Sequence, residues 1–233
     1  KAYEECLLYQ KDLHAIYNAK FTVHSPDEDL NRAVNIWLKR QISFGKTWGR
    51  GYGKGFRDVM QDCQGFVSLD IGVARERILH ALGYQFDNGN TIRQYEPDFD
   101  EPYMDGAAWI PATISAYLKE SGDFSILNEV VPYYRSNKSD TVLAHMQNGL
   151  NFLITHTGEH GLVLWGGGDW NDSLNGCGVR GTGESVWLSM ATVKAINEYE
   201  EIAERLSLDM TELSTARARL TECIMKFGRE GDR

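Results

Sequence analysis

The sequence predicts an all-α fold, and three observations carry that reading. Apolar residues recur at spacings of three and four through most of the chain, long glycine-bearing loops separate these periodic stretches, and alternating strand-like runs are nearly absent. Neither a sustained heptad register nor a fixed-period repeat is present, which argues against a coiled coil and against a tetratricopeptide-like solenoid. Helical hairpins arranged around an axis, an α/α toroid, are the architecture this alternation predicts.

The first helix is expected over residues 3–18, where Leu7, Leu8, Tyr9, Leu13, Ile16 and Tyr17 recur with helical spacing. Residues 21–24 read as extended. Ser25, Pro26 and Glu28 then combine an N-cap Ser, a Pro at the first helical position and a Glu three residues on, predicting a second helix start. Its stripe of Leu30, Val34, Trp37 and Leu38 runs to about residue 42, until Gly45, Gly49, Gly51, Gly53 and Gly55 interrupt regular structure. The period resumes over residues 59–82, broken near 65–70 and closed by Gly83 as a C′ glycine. Residues 87–90, Asp-Asn-Gly-Asn, read as a turn. Further helices are expected over 105–118, 124–134, 140–155, 184–206 and 210–227, with 158–183 a second long glycine-rich break.

Composition excludes several classes of function. With 233 residues, the chain is long enough to bury roughly 70–75% of the surface its unfolded form exposes. Its 33 acidic against 24 basic side chains give a net charge of -9, which repels phosphodiester backbones, so nucleic acid is not an expected partner. No run approaches the roughly 18 apolar residues of a membrane helix, and the first residues lack the basic and apolar regions of a secretory signal. Cys6, Cys63, Cys177 and Cys223 form no C-x-x-C pair and read as reduced thiols of a cytoplasmic protein. The six histidines include neither H-E-x-x-H nor a helical i, i+4 pair, since Gly158 separates His156 from His160. No metal site is expected.

Two loops carry the candidate chemistry. Residues 48–62 read W-G-R-G-Y-G-K-G-F-R-D-V-M-Q-D, interleaving Arg50, Lys54 and Arg57 with glycines and with Trp48, Tyr52 and Phe56, ahead of Asp58. Fixed donors and acceptors beside flat apolar faces suit a pyranose ring, although on local sequence alone a flexible, solvated basic loop with a capping Asp58 is the simpler reading. A phosphate-loop reading fails because no G-K-[ST] occurs. Residues 165–178 read W-G-G-G-D-W-N-D-S-L-N-G-C-G and set Asp169 and Asp172 around Trp170 and Asn171. A carboxyl pressed on an aromatic face loses solvation and can keep its proton for donation to a leaving oxygen. The alternative is an Asp-rich turn that caps a helix at Asn171 or Asp172.

Three segments together resemble the catalytic domain of glycoside hydrolase family 94, the inverting phosphorylases of β-linked glucosides. They are G-F-R-D-V-M-Q-D at 55–62, the W-I-P…S-G-D…L-N-E-V-V-P-Y run at 109–133, and G-G-D-W-N-D-S-L-N at 167–175 followed by G-E-S-V-W at 183–187. The resemblance implies an (α/α)6 barrel, of which this chain would be an incomplete segment: residues 1–24 a linker helix and entry, residues 25–233 the first part of the barrel. It implies Asp172 as general acid, with Trp170, Asp58 and Arg57 holding the nonreducing-end sugar. The family's additional Arg ahead of F-R-D falls to Arg50 or to Lys54. It further implies a β-linked gluco-oligosaccharide and inorganic phosphate as substrates, no cofactor, a homodimer, and phosphate-binding residues later than residue 233. Two other classes stay open on the residues alone: an inverting hydrolase using Asp169 or Asp62 as base, and a non-catalytic carbohydrate-binding domain.

Overall fold

A computed structural model of the protein describes residues 2–48, 53–229 and 231. The amphipathic segments form helices. Helix α1 (Ala2–Lys20) stands largely exposed and buries only Tyr17. Helix α2 (Glu28–Arg32) passes through a π-helical turn at Ala33–Leu38 into α3 (Lys39–Trp48). The cap of α2 is Asp27 and not the expected Ser25. The Asp27 carboxylate accepts from the backbone N–H of Asp29 and of Leu30, at 2.9 and 3.1 Å, while the Ser25 hydroxyl is turned back on the Asp27 backbone. A carboxylate is the stronger acceptor of the two for a helix N-terminus.

Six further helices build the core. They are α4 (Phe56–Phe66), α5 (Ile71–Leu82), α6 (Gly106–Ser121), α7 (Val142–Thr155), α8 (Val186–Leu206) and α9 (Thr211–Phe227). Three of these starts are specified locally: Asp70 for α5, Thr141 for α7 and Ser185 for α8 accept from the backbone N–H three residues on, the N-cap signature. Helix α6 ends at Gly122, whose φ of +66° is open to glycine at little cost. Gly83 instead keeps a right-handed φ of −61°. There the chain leaves α5 through tight turns, Tyr84 and Gln85 donating to the Ala81 and Leu82 carbonyls.

Packing sorts these helices into two rows. Helices α4, α6 and α8 touch in succession, while α5, α7 and α9 pack behind them, each beside its sequence neighbours. Met60 from α4, Ile110 and Ile114 from α6, Met146 and Leu150 from α7, and Leu188 and Ile196 from α8 are fully buried in one core. Among the described residues the protein is thus predominantly helical.

Short strands occur where the sequence showed little strand signal. Strands β1 (Lys54–Gly55), β2 (Thr91–Tyr95) and β3 (Phe99–Tyr103) form an antiparallel sheet in that order, with Gly55 opposite Gln94 and Thr91 opposite Tyr103. Strands β4 (Val130–Pro132) and β5 (Ser139–Thr141) make a two-stranded ribbon. These strands span two to five residues, too few for a period to register. The helix expected over 124–134 is replaced by a 3-10 turn at Phe124–Asn128, held by Asp123, and then by β4. Pro132 drives Val131 out of the α region, and the β-branched pair Val130-Val131 prefers extended backbone. All four cysteines are free thiols. Among the described residues no helix is long and apolar enough to cross a membrane.

Substitution Ile114→Ala, at a fully buried position of α6, is expected to cost about 2–5 kcal/mol of stability. The measurement is the urea-unfolding midpoint followed by circular dichroism, and an unchanged midpoint would contradict this core assignment.

Candidate functional site

The three inner helices begin at the same end of the structure. Arg57 and Asp58 lie in the first turn of α4, Asp105 immediately precedes α6, and Ser185 caps α8 with Trp187 in its first turn. The sheet β1-β2-β3 forms a collar there, because β1 leads into α4 and β3 leads into α6. Helix N-termini carry partial positive charge and favour anionic groups, which suits the carboxylates gathered here. A pocket of about 150 Å³ opens at this end, lined among others by Arg57, Asp58, Arg93, Gln94, Tyr103, Asp105 and Asp172. That is small beside the roughly 300–1,000 Å³ of sites for drug-sized ligands.

Arg57 is the hub of the pocket. Its Nη1 donates to the Asp169 carbonyl at 2.8 Å and to Asp105 Oδ2 at 3.2 Å. Its Nη2 donates to both carboxylate oxygens of Asp172, each at 2.8 Å. The Arg57 side chain is 17% exposed, that of Asp172 is 53% exposed, and Asp105 is 1% exposed. One guanidinium thus bridges a buried and a solvated carboxylate. Burial alone would lower the Arg57 pKa, but the facing Asp105 and Asp172 carboxylates outweigh it and hold the guanidinium more firmly charged. For Asp105 burial dominates and raises the carboxyl to about 6. Arg57 and the Trp109 N–H oppose that rise, and the nearby Asp169 charge adds to it.

The loop bearing Asp169 and Asp172 is fastened on both sides. Asp169 is fully buried; its Oδ1 accepts from the Asn171 N–H at 2.8 Å and its Oδ2 from the Ser185 hydroxyl at 2.6 Å. Ser185 Oγ also accepts from Leu188 N–H, so one hydroxyl joins the loop to the start of α8. Gly168 accepts from the Met104 N–H, and its Cα lies so close to the Tyr103 ring that a Cβ would displace it. A short 3-10 turn, Asp172–Gly178, follows. The Asp172 side chain is engaged with Arg57 and makes no cap, and Asn171 makes no side-chain cap bond either. It is Asp169 that serves the structural turn.

An indole row runs beside the pocket. Trp170 stacks on Trp187 at 6.1 Å, and Trp187 lies 6.3 Å from Trp109. The Trp109 indole N–H donates to Asp105 Oδ2 at 3.4 Å. The row therefore joins three segments distant in sequence.

Of the residues singled out from the sequence, Arg57, Asp58 and Asp172 meet at one pocket. Trp170 stands 53% exposed next to it, on Trp187, outside the pocket wall. Lys54 is ion-paired with Glu96, and Arg50, like Tyr52, lies outside the described residues. Asp62 does not line the pocket. Sequence reasoning missed Asp105, Arg93, Gln94 and Tyr103. Asp105 carries no local motif beyond a helix start, and the other three sit on strands too short to be anticipated. Among the described residues no group of three or more His, Cys, Asp or Glu side chains is arranged to hold a metal ion.

Comparison with known proteins gives one consistent result. Residues 14–233 match the family model described as the glycosyl hydrolase 94 superfamily, catalytic domain. The chain is 40% identical over 213 residues to a solabiose phosphorylase of Paenibacillus borealis, covering 90% of this chain and 28% of that protein. It is 32% identical to a 3-O-beta-D-glucopyranosyl-beta-D-glucuronide phosphorylase of the same organism, covering 99% of this chain and 31% of the relative. An N,N'-diacetylchitobiose phosphorylase of Vibrio furnissii is 28% identical, over 79% of this chain and 27% of its own length. The chain spans less than a third of the length of these relatives.

A pH dependence follows from Asp105. Its folded-state pKa is raised from 3.8 to about 6, so the folded protein holds the proton more tightly than the unfolded chain. That contribution is fully present below the unfolded value and is lost as pH rises through about 6. Between pH 5 and pH 8 the wild type is expected to lose on the order of 1 kcal/mol relative to Asp105→Asn. Thermal unfolding of both proteins at the two pH values is the check, and a pH-independent difference would contradict the assignment.

Proposed function

The chain belongs to the glycosyl hydrolase 94 superfamily, within its catalytic domain, and from that premise we propose that the protein is an inverting glycoside phosphorylase. It cleaves a β-linked gluco-oligosaccharide with inorganic phosphate as co-substrate and releases an α-sugar 1-phosphate. The observation that carries this reading is the convergence of Arg57, Asp58 and Asp172 on one pocket. The relatives named as phosphorylases support the reaction class. The two rows of helices represent an arc of an (α/α)6 toroid, with residues 1–24 as its lead-in and residues 25–233 as part of the barrel.

The chemistry follows from the groups present. The nonreducing-end sugar occupies the pocket, with Asp58 and Arg57 beside its hydroxyls and Trp170 at the pocket's edge. Asp172 gives its carboxyl proton to the glycosidic oxygen as the bond to the anomeric carbon breaks, and the electron pair leaves on that oxygen. A phosphate oxygen forms the new bond from the opposite face, through an oxocarbenium-like transition state. The two-pronged Arg57 contact is complementary to the Asp172 carboxylate that remains once the proton has gone. In the synthetic direction the same carboxylate takes the proton back from the acceptor hydroxyl.

Asp169 favours phosphorolysis over hydrolysis. An inverting hydrolase needs a second carboxylate to activate water, and both Asp169 oxygens are already committed to Asn171 and Ser185 in a fully buried position. Phosphate, an anion already, needs no such base.

Substitution Asp172→Asn is expected to lower turnover about 10²–10⁴-fold, the usual share of a general acid, while sugar binding stays measurable by calorimetry. The assay is release of inorganic phosphate from α-glucose 1-phosphate by the full-length protein, with glucose, cellobiose, sophorose and laminaribiose as acceptors. Full activity of the variant would contradict the role of Asp172. Sugar release from the oligosaccharide without phosphate would point to hydrolysis.

A further inference from the structure

Asp105 is a buried carboxylate that is only half satisfied. It is 1% exposed, both of its donors, Arg57 Nη1 and Trp109 Nε1, fall on Oδ2, and Oδ1 is buried without a hydrogen-bond partner among the described residues. Burying a carboxylate with an idle oxygen is costly, and a well-packed neutral side chain usually serves stability as well or better. What Asp105 does supply is direction. A guanidinium is a planar fork, so fixing one of its terminal nitrogens fixes where the other points. Nη1 is pinned between Asp105 and the Asp169 carbonyl, and Nη2 is thereby aimed at both oxygens of Asp172. The same Oδ2 also accepts from the Trp109 indole, itself set against Trp187 and, through it, Trp170.

We propose that Asp105 is a positioning residue that acts through Arg57, holding Asp172 where it can hand its proton to the leaving oxygen. This rests on the reading of Asp172 as general acid. An Asp105→Asn side chain keeps the shape but replaces a charge-assisted hydrogen bond with one roughly half as strong. The fork is then free to swing, and protonation of the leaving group suffers while the sugar pocket remains.

Leaving-group dependence tests this. A dinitrophenol departs without help from an acid, whereas a sugar alkoxide does not. In the full-length protein, Asp105→Asn is expected to lower kcat for phosphorolysis of the natural-type disaccharide by about 10–100-fold, part of the general-acid share. For the dinitrophenyl β-glycoside of the same sugar the fall stays within about threefold, with KM for both within about threefold. Trp109→Phe keeps an aromatic ring at this position but removes the indole N–H together with part of the ring set against Trp187, and is expected to show the same split at smaller amplitude. An equal loss on both substrates in the two variants, or an unchanged disaccharide kcat, would overturn the proposal. If Asp105→Asn fails to fold, the split in Trp109→Phe decides, and its absence overturns the proposal as well. A wild-type protein that turns over no disaccharide with phosphate fails at the earlier step, the functional reading itself.

Discussion

A single shared cation organises this end of the molecule. Arg57 enters from the first turn of α4 and meets Asp105 at the head of α6, the Asp169 carbonyl, and Asp172 in the long loop before α8. Three segments more than forty residues apart are therefore tied to one guanidinium, whose planar fork constrains all of them at once. An isolated buried carboxylate is expensive, and Asp105 is tolerable because Arg57 neutralises it. Conversely, Arg57 keeps one nitrogen for the solvated Asp172 because the other is already engaged.

The rest of the site follows from how the inner helices are started. All three begin at the same end of the structure, and Arg57, Asp58 and Asp105 at the heads of α4 and α6 meet at the pocket while Ser185 at the head of α8 holds Asp169 beside it, with no need for neighbouring sequence positions. Ser185 illustrates the economy of the arrangement: one hydroxyl caps α8 and also donates to Asp169, linking helix geometry to loop geometry. The glycines of the 165–178 loop allow backbone to lie directly on Tyr103 and Met104, which brings Asp172 against Arg57. Rigid elements thus carry Arg57, Asp58 and Asp105, and the loop carries Asp172.

How much of this was legible in the sequence depended on the range of the interaction. Helical period identified the stretches that became α1 and α4 through α9, because burial of one face repeats every three or four residues. Cap positions were less secure. Ser25 and Asp27 both satisfy the local rule, and only the geometry of the turn selects Asp27. The segment after Asp123 showed helical spacing, yet Pro132 and the β-branched pair before it overrode the period. Among site residues, Arg57, Asp58 and Asp172 stood out because motif and chemistry coincide there. Asp105 did not, since its partners Arg57 and Trp109 lie on different segments and its burial is a property of the fold alone. Asp169 reads in the sequence as a candidate base, and what its two oxygens do in the fold, accepting from Asn171 and Ser185, depends on partners that no local motif announces.

The most direct test of this account follows the configuration of the first product formed from a β-linked disaccharide by the full-length protein, with and without inorganic phosphate. Proton and phosphorus NMR during the first minutes of reaction would report it. A sugar 1-phosphate in the α configuration that forms only with phosphate is the predicted result. A free reducing sugar formed at the same rate without phosphate, or a β-configured phosphate ester, would contradict it.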